Sequence, residues 1–238
     1  MTIKGLLFDK DGTLFHYQGT WEVWCDLVLD DLSKGDAGLK DALAQAVGFD
    51  LANKSFVPGS AVVNASAAEI NTIWADMLPE MGFEDVDRVA VKHLANIPNL
   101  PVCDLAALFG GLKEAGYTLG IATNDYEVGA RMQLEAEGID GFFDFICGFD
   151  SGYGSKPGPG MVEGFAKARG LSTNEVAMVG DSTHDLGAGR AAKAGLTVGV
   201  LTGPAGREDI AHLADVVLSD ISELPGYLVG LGSRRLVT

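Results

Sequence analysis

Short apolar segments that end in Gly, Asp or Asn recur along the chain. They lie at 3–9, 117–124, 142–150, 175–181, 196–203 and 214–220. Each is too short for a typical helix and lacks the strict alternation of a strand with one face in water. This pattern is typical of strands that are buried on both faces of a parallel sheet.

Segments with helical character lie between these predicted strands. They cover 104–116, 127–138, 160–170 and 182–195. Each of them ends at or beside a glycine, the residue that is favoured at helix C-caps; these are Gly116, Gly138, Gly170 and Gly195. The alternation of strand and helix predicts a doubly wound, Rossmann-like α/β domain with a parallel sheet.

The stretch from 17 to 100 has a different pattern, because it contains no convincing buried strand. Amphipathic helices are predicted at 21–32, 38–48, 66–82 and 85–95. Ser66 and Glu69 have the spacing of a capping box at the start of the third helix. The pattern therefore predicts a core domain from 1–16 and 101–238, with a small helical domain from 17–100 inserted after the first strand.

Composition and charge narrow the range of functions. The chain has 238 residues and a formal net charge of -16, with no cluster of Lys and Arg. We therefore expect neither a nucleic acid nor an anionic membrane surface as partner. An anionic substrate would need local positive charge from a few lysines or from a metal ion.

Three cysteines without a CxxC pair indicate reduced thiols. We find no signal-peptide pattern and no apolar run of membrane-spanning length. These features predict a cytoplasmic location.

Chemically active residues collect where the predicted strands end. Ligands of open α/β sheets bind at the carboxyl ends of the strands. The ends of the first four strands carry Asp9-Lys10-Asp11-Gly12-Thr13, Thr123-Asn124, Ser155-Lys156-Pro157 and Asp181-Ser182-Thr183-His184-Asp185. Acids, a hydroxyl group and a lysine at one sheet edge are suited to a phosphate group and a divalent cation.

Each of these pieces has a simpler explanation when it is taken alone. The DKDG stretch can be a turn, Lys156 a solvated lysine, and Asp185 only the capping-box partner of Ser182. A calcium-binding EF-hand loop is excluded, because Thr13, Leu14 and Thr20 stand where it needs other residues. The common order and placement of all four pieces favours one site.

The four motifs LLFDKDGTL, GIATND, SKPGP and MVGDSTHD resemble, in this order, those of the haloacid dehalogenase superfamily. The likeness is greatest to its phosphatases, including those similar to phosphoglycolate phosphatase, and it extends over nearly the whole chain. The helical insert after the first motif matches the position of the family's helical cap. The interval from Thr123 to Lys156 is too short for a second cap.

The resemblance implies a nucleophile, an acid–base residue and a metal ion. Asp9 would attack phosphorus and form an aspartyl-phosphate. Asp11 would protonate the leaving oxygen and then activate water, which requires the chain to bend after Asp9. Mg²⁺ would be held by Asp9, the backbone carbonyl of Asp11 and Asp181.

The remaining motif residues would bind the phosphate group or support the site. The resemblance implies a hydroxyl donor in Thr123, a backbone N–H donor in Asn124 and a neutralising cation in Lys156. Gly12 would let the backbone approach the phosphate. Asp185 would orient Lys156 or metal-bound water.

The predicted function is therefore a Mg²⁺-dependent phosphatase that acts on a small phosphomonoester, with phosphoglycolate as the first guess by resemblance. A phosphomutase of the same fold shares all four motifs, and a non-catalytic phospho-accepting or binding protein is a further alternative. A dehalogenase is disfavoured because an acid stands at Asp11. A phosphonatase would need a cap lysine in a motif that is not found in this chain.

Overall fold

A computed structural model describes residues 2–94 and 97–234 of the chain. The strands among these residues are β1 (Gly5–Phe8), β2 (Phe49–Asp50), β3 (Ser55–Phe56), β4 (Thr118–Ala122), β5 (Phe145–Cys147), β6 (Val176–Gly180), β7 (Leu196–Val200) and β8 (Val216–Leu218). The helices are α1 (Trp21–Ser33), α2 (Ala37–Val47), α3 (Ala61–Asn64), α4 (Ala67–Met77), α5 (Phe83–Leu94), α6 (Leu105–Glu114), α7 (Glu127–Ala136), α8 (Gly160–Arg169), α9 (Thr183–Ala191), α10 (Arg207–Ile210) and α11 (Leu224–Arg234).

Six strands form one parallel sheet in the order β5-β4-β1-β6-β7-β8. The strand β1 lies at the centre, where Leu6 pairs with Leu119 of β4 and with Ala177 of β6. All six predicted strands are present, and the predicted doubly wound α/β fold is confirmed. The reversal of strand order on either side of β1 places a crevice at its carboxyl end.

Helices cover both faces of this sheet, which explains why its strands lack polar alternation. The side chains of Leu6 and Phe8 belong to a core that includes Phe109 of α6. The side chain of Leu7 points to the other face and packs in a core with Phe165 of α8 and Ala188 of α9. Successive residues of β1 thus serve opposite faces, and both faces exclude water.

Three of the four predicted helix-terminal glycines adopt the left-handed conformation expected after a helix. The φ angles are 88° at Gly116, 67° at Gly138 and 66° at Gly170. The prediction for Gly195 was wrong, because α9 ends at Ala191 and Lys193 takes the positive φ of 57°. A β-carbon at Gly195 would lie 2.0 Å from the carbonyl oxygen of Asn174, so close backbone approach explains this glycine.

The chain divides into two compact units, Met1–Tyr17 with Pro101–Thr238 and Gln18–Leu100. In the second unit Trp24 Nε1 donates to the Ala90 carbonyl at 3.0 Å, and Trp74 Nε1 donates to the Leu43 carbonyl at 3.2 Å. These buried tryptophans join α1 to α5 and α4 to α2, and they stabilise a helical core.

Two details of this helical unit differ from the sequence prediction. A short antiparallel pair, β2 with β3, lies in a stretch where no strand was predicted, because its two-residue strands are too short to give a periodic signal. The helix α4 has the predicted capping box at Ser66 and Glu69, but it ends at Met77 instead of 82, since Pro79 cannot continue it. The last residue of the fourth predicted helix, 95, lies outside the described residues.

No helix within 2–94 and 97–234 is long and apolar enough to cross a bilayer. Cys25, Cys103 and Cys147 are unpaired thiols.

Candidate active site

Three adjacent strands bring their terminal residues to the same edge of the central sheet. Asp9 directly follows β1, Thr123 follows β4, and Asp181 follows β6. The backbone N–H of Asp9 donates to the Val179 carbonyl at 2.8 Å, which continues the pairing of β1 with β6. Because β1 lies between its two neighbours, Asp9 occupies the middle of this edge.

The Lys156 ammonium group is buried and has three hydrogen-bond acceptors around it. Its Nζ donates to Asp9 Oδ1 at 2.5 Å, to Asp185 Oδ1 at 2.6 Å and to the Ala122 carbonyl at 2.7 Å. An ammonium group has three N–H donors, so this set fixes its position. The structure thus excludes the simpler explanation of Lys156 as a solvated lysine.

Asp185 serves two purposes at once. Its Oδ2 accepts from the backbone N–H and the hydroxyl of Ser182, at 3.0 and 2.6 Å, which completes a capping box at the start of α9. Its Oδ1 meanwhile accepts from Lys156. The sequence left open whether Asp185 caps a helix or orients the lysine, and in the structure Asp185 makes both sets of contacts.

Asn124 holds the backbone of Lys156 with its side-chain amide. Asn124 Nδ2 donates to the Lys156 carbonyl at 3.0 Å, and the Lys156 N–H donates to Asn124 Oδ1 at 2.8 Å. Sequence reasoning assigned Asn124 only a backbone contact to phosphate, so this clamp is an addition. The buried Thr123 hydroxyl accepts from the Asp125 N–H at 3.1 Å, which fixes its oxygen at the same edge.

Two glycines, Gly12 and Gly203, leave the space that the Asp181 carboxylate occupies. A β-carbon at Gly12, where φ is 80°, would lie 2.6 Å from Asp181 Oδ2, and one at Gly203 would lie 1.7 Å from the same oxygen. In this structure, the group that a β-carbon at position 12 would meet is therefore the Asp181 carboxylate. Thr202 donates its hydroxyl to the Gly12 carbonyl at 2.6 Å and ties the loop after β7 to the first motif.

Sequence reasoning did not identify Thr202 and Gly203 as site residues. The available signal was the end of the segment 196–203, since the strand-end rule applies to β7 as much as to its neighbours.

The chain bends directly after Asp9, as the resemblance required. The Lys10 carbonyl accepts from the Leu14 N–H at 2.8 Å, and the Gly12 N–H donates to the Phe15 carbonyl at 2.7 Å. This turn ends the strand alternation, so Asp9 and Asp11 have different surroundings. Asp9 contacts Lys156, whereas the carboxylate oxygens of Asp11 lie 2.7 and 2.6 Å from Nζ of Lys10.

The buried acids of this edge repel one another. Burial raises the pKa of Asp9 to about 7, against the opposing effect of Lys156 and with further contributions from Asp185 and Asp11. Burial, followed by the charges of Asp185 and Asp9, raises the pKa of Asp181 well above its ordinary value. The pKa of Lys156 is raised: burial lowers it, but Asp185 and Asp9 outweigh that effect. Ionisation of Asp9 and Asp181 together is therefore unfavourable unless positive charge beyond that of Lys156 is present.

This donor set fits a divalent cation. Asp9, Asp181 and Asp185 each present a carboxylate oxygen, and these oxygens lie within 4.8 Å of one another. Oxygen ligands of this kind are those that Mg²⁺ prefers, and a second cation would offset the charge that Lys156 alone does not balance. Because both oxygens of Asp185 are engaged by Lys156 and Ser182, Asp9 and Asp181 are the better candidates for ligands.

Comparison with known proteins agrees with the motifs and the fold. Residues 3–193 match the haloacid dehalogenase-like hydrolase family. The chain is 29% identical to a phosphoglycolate phosphatase of Rhodospirillum rubrum, over 94% of this chain and 90% of the relative. It is 26% identical to the pyrophosphatase PpaX of Bacillus pumilus, over 94% of this chain and 95% of the relative.

A solved structure shows the same fold over the full length. The β-phosphoglucomutase of Clostridium difficile superposes with a TM-score of 0.69 at 17% identity and covers 100% of both chains. The predicted resemblance and the hydrolase class, of the phosphatase type, are confirmed. The chain belongs to the haloacid dehalogenase-like hydrolase family.

Proposed function

We propose that this protein is a Mg²⁺-dependent phosphatase that hydrolyses a small phosphomonoester through an aspartyl-phosphate on Asp9. The observation that carries the proposal is the Asp9 carboxylate, which is fixed at the carboxyl end of the central strand by the triply bonded Lys156 ammonium group. A carboxylate that is oriented in this way and backed by a second acid is suited to nucleophilic attack on phosphorus.

In the first step a carboxylate oxygen of Asp9 forms a bond to phosphorus, and the bond from phosphorus to the leaving oxygen breaks. Asp11 transfers its proton to that leaving oxygen, so the alcohol departs in neutral form. Asp9, Asp181 and the backbone carbonyl of Asp11 would hold Mg²⁺, whose positive charge would offset the repulsion between the nucleophile and the phosphate dianion.

In the second step Asp11 takes a proton from a water molecule, whose oxygen attacks the phosphorus of the aspartyl-phosphate. The bond from phosphorus to Asp9 breaks and returns the free carboxylate with inorganic phosphate. Each step moves one proton through Asp11, which begins and ends the cycle in the same protonation state.

The phosphate oxygens would be bound by groups that the fold holds in place. Thr123 uses its oxygen to accept from the Asp125 N–H, so its hydroxyl hydrogen can be donated to phosphate. The backbone N–H of Asn124 would be a further donor, with Gly12 beside it. The Lys156 ammonium group, whose three N–H donors are engaged by Asp9, Asp185 and the Ala122 carbonyl, would attract the phosphate through its charge. Fixed donors of this kind act most strongly on the charge that develops in the transition state.

The substrate is a small phosphate ester, and phosphoglycolate is the first candidate because of the relative in Rhodospirillum rubrum. We also propose that 17–100 is the helical cap domain of the family and that 1–16 with 101–238 is its core domain. The two compact units support this division.

A phosphate-release screen over small phosphomonoesters, with and without Mg²⁺, tests the proposal. We expect turnover that needs Mg²⁺ and is abolished by Asp9→Asn, whereas Asp76→Asn, at an exposed position of α4, keeps full activity. Hydroxylamine, which cleaves acyl phosphates, should release the phosphate that is bound to the protein during turnover.

Two other results would contradict the proposal. Isomerisation of a sugar phosphate without release of phosphate would identify a phosphomutase. Absence of turnover on every ester, with phosphate still incorporated from a small phosphodonor, would identify a phospho-accepting regulatory protein.

A further inference from the structure

A second buried lysine lies beside the acid–base residue. Lys10 is fully buried, and its Nζ lies 2.7 Å from Asp11 Oδ1 and 2.6 Å from Asp11 Oδ2. The same ammonium group donates to Gln133 Oε1 and lies 3.5 Å from Asp125 Oδ2. A buried ammonium group is costly unless acceptors surround it, and these three side chains surround this one.

The acceptors come from separate parts of the core unit. Asp125 follows β4, and Gln133 lies on α7 and is itself buried, 123 positions from Lys10. Asp125 and Gln133 thus contact the Lys10 ammonium group from the end of β4 and from α7, and both oxygens of Asp11 contact it as well. Lys10 is therefore also held by groups of the fold other than the partly exposed Asp11.

The distances argue against a lysine that only neutralises a buried acid. Asp125 is the buried carboxylate of the group, and burial raises its pKa to about 6 against the opposing charge of Lys10. The ammonium group nevertheless lies closer to Asp11 than to Asp125. It is placed to engage Asp11, the residue that would protonate the leaving oxygen in the proposed mechanism.

We infer that Lys10, held in place by Gln133 and Asp125, is a positioning residue that fixes the Asp11 carboxyl group for proton transfer to the leaving oxygen. This inference rests on the proposed phosphatase function. As Asp11 gives up its proton, negative charge develops on its oxygens, and the neighbouring buried ammonium group stabilises that charge. The proton moves from Asp11 to the leaving oxygen, and Lys10 keeps all of its protons.

Dependence on the leaving group separates this role from a structural one. A nitrophenolate departs with little protonation, whereas an alkoxide needs the proton of Asp11. We therefore compare kcat/KM, which reports the steps up to aspartyl-phosphate formation, for p-nitrophenyl phosphate and for the best alkyl phosphomonoester of the screen. General acid catalysis contributes about 100- to 10,000-fold, so Lys10→Met should lower the alkyl value about 10- to 100-fold and the nitrophenyl value less than about threefold.

Control variants show whether the effect of Lys10→Met acts through Asp11. In an Asp11→Asn background, Lys10→Met should cause no further selective loss, because both changes remove one function. Lys113→Met removes a lysine–aspartate contact of 2.8 Å elsewhere in the core unit and should leave the ratio of the two kcat/KM values unchanged. If Lys10→Met fails to fold, Lys10→Met with Asp125→Asn removes the buried cation and the buried carboxylate together and is measured in its place.

Each outcome of these measurements either supports or overturns the inference about Lys10. A selective loss for the alkyl ester that disappears in the Asp11→Asn background supports the inference. Equal losses for both substrates, additivity with Asp11→Asn, or failure of both Lys10 variants to fold would show a structural lysine and overturn it. Wild-type protein that hydrolyses neither ester would instead refute the proposed function, and the inference with it.

Discussion

Replacing the proposed nucleophile should stabilise the metal-free protein. Asp9 is 6% exposed, and burial raises its pKa from 3.8 to about 7 in spite of Lys156. Each pKa unit corresponds to about 1.4 kcal/mol, so the ionised Asp9 lowers the free energy of unfolding by about 4 kcal/mol at pH 8. Asn keeps the shape without the charge, and Asp9→Asn should regain most of this amount.

The sign of the pH dependence follows from the direction of the shift. A carboxyl group with a raised folded pKa causes no loss of stability below its unfolded pKa of 3.8, and the loss grows until the pH passes about 7. The stabilisation by Asp9→Asn should therefore be about 2 kcal/mol at pH 5 and about 4 kcal/mol at pH 8. Wild-type and variant stabilities converge as the pH falls toward 4.

Urea denaturation in a chelator, followed by circular dichroism at both pH values, measures this difference. The exposed Asp76→Asn serves as the matched control and should stay within about 0.5 kcal/mol of wild type. Addition of Mg²⁺ should stabilise wild type by about 3 kcal/mol at a hundredfold excess over Kd and should stabilise Asp9→Asn much less. If Asp9→Asn is no more stable than wild type at pH 8, the charge argument for this site is wrong.

Three further variants test separate parts of the structure. Asn124→Ala removes both hydrogen bonds to the lysine loop, and phosphate release should show a kcat at least about tenfold lower; an unchanged kcat would contradict the clamp. In Gly203→Ala the added β-carbon overlaps a carboxylate oxygen of Asp181, so the rise of melting temperature on addition of Mg²⁺ should be lost. Gly141→Ala, where the β-carbon meets nothing within 4 Å, should show the same rise as wild type. An equal rise in both variants would refute the role of Gly203 in placing Asp181. Ser66→Ala breaks the capping box and should lower the free energy of unfolding of the helical unit by about 1 kcal/mol in urea denaturation; no change would show that water replaces the cap.

The sequence predicted the sheet and the location of Asp9, Thr123 and Asp181 because two simple rules apply to them. Buried parallel strands appear as short apolar runs, and their carboxyl ends meet at one edge. The order of strands, with β1 at the centre, then places these residues beside one another. The roles of these residues remain predictions, since the geometry shows proximity and not reaction.

The surroundings of Lys10 could not be predicted in the same way. From the sequence, a lysine after an apolar run, such as Lys10, is expected to be exposed to solvent. A glutamine on an amphipathic helix, such as Gln133, is expected on the polar face of that helix. Their contact joins positions 123 apart, so no local pattern contains it. The hairpin of β2 and β3 and the end of α9 were missed for a related reason, because short elements and close backbone contacts leave no periodic signal.

Under the proposed function, a protein of net charge -16 has to bind a phosphate dianion, and the charges of the site indicate how it would do so. The two buried lysines divide the acids between them: Lys156 contacts Asp9 and Asp185, and Lys10 contacts Asp11. Asp181 has no lysine in direct contact among the described ion pairs of 4.0 Å or less, so its charge is neutralised by a proton unless a cation binds there. In the proposed mechanism, a cation held by Asp9 and Asp181 would offset the repulsion of a phosphate dianion near Asp9, and by thermodynamic linkage each ligand would raise the affinity of the other by the same factor.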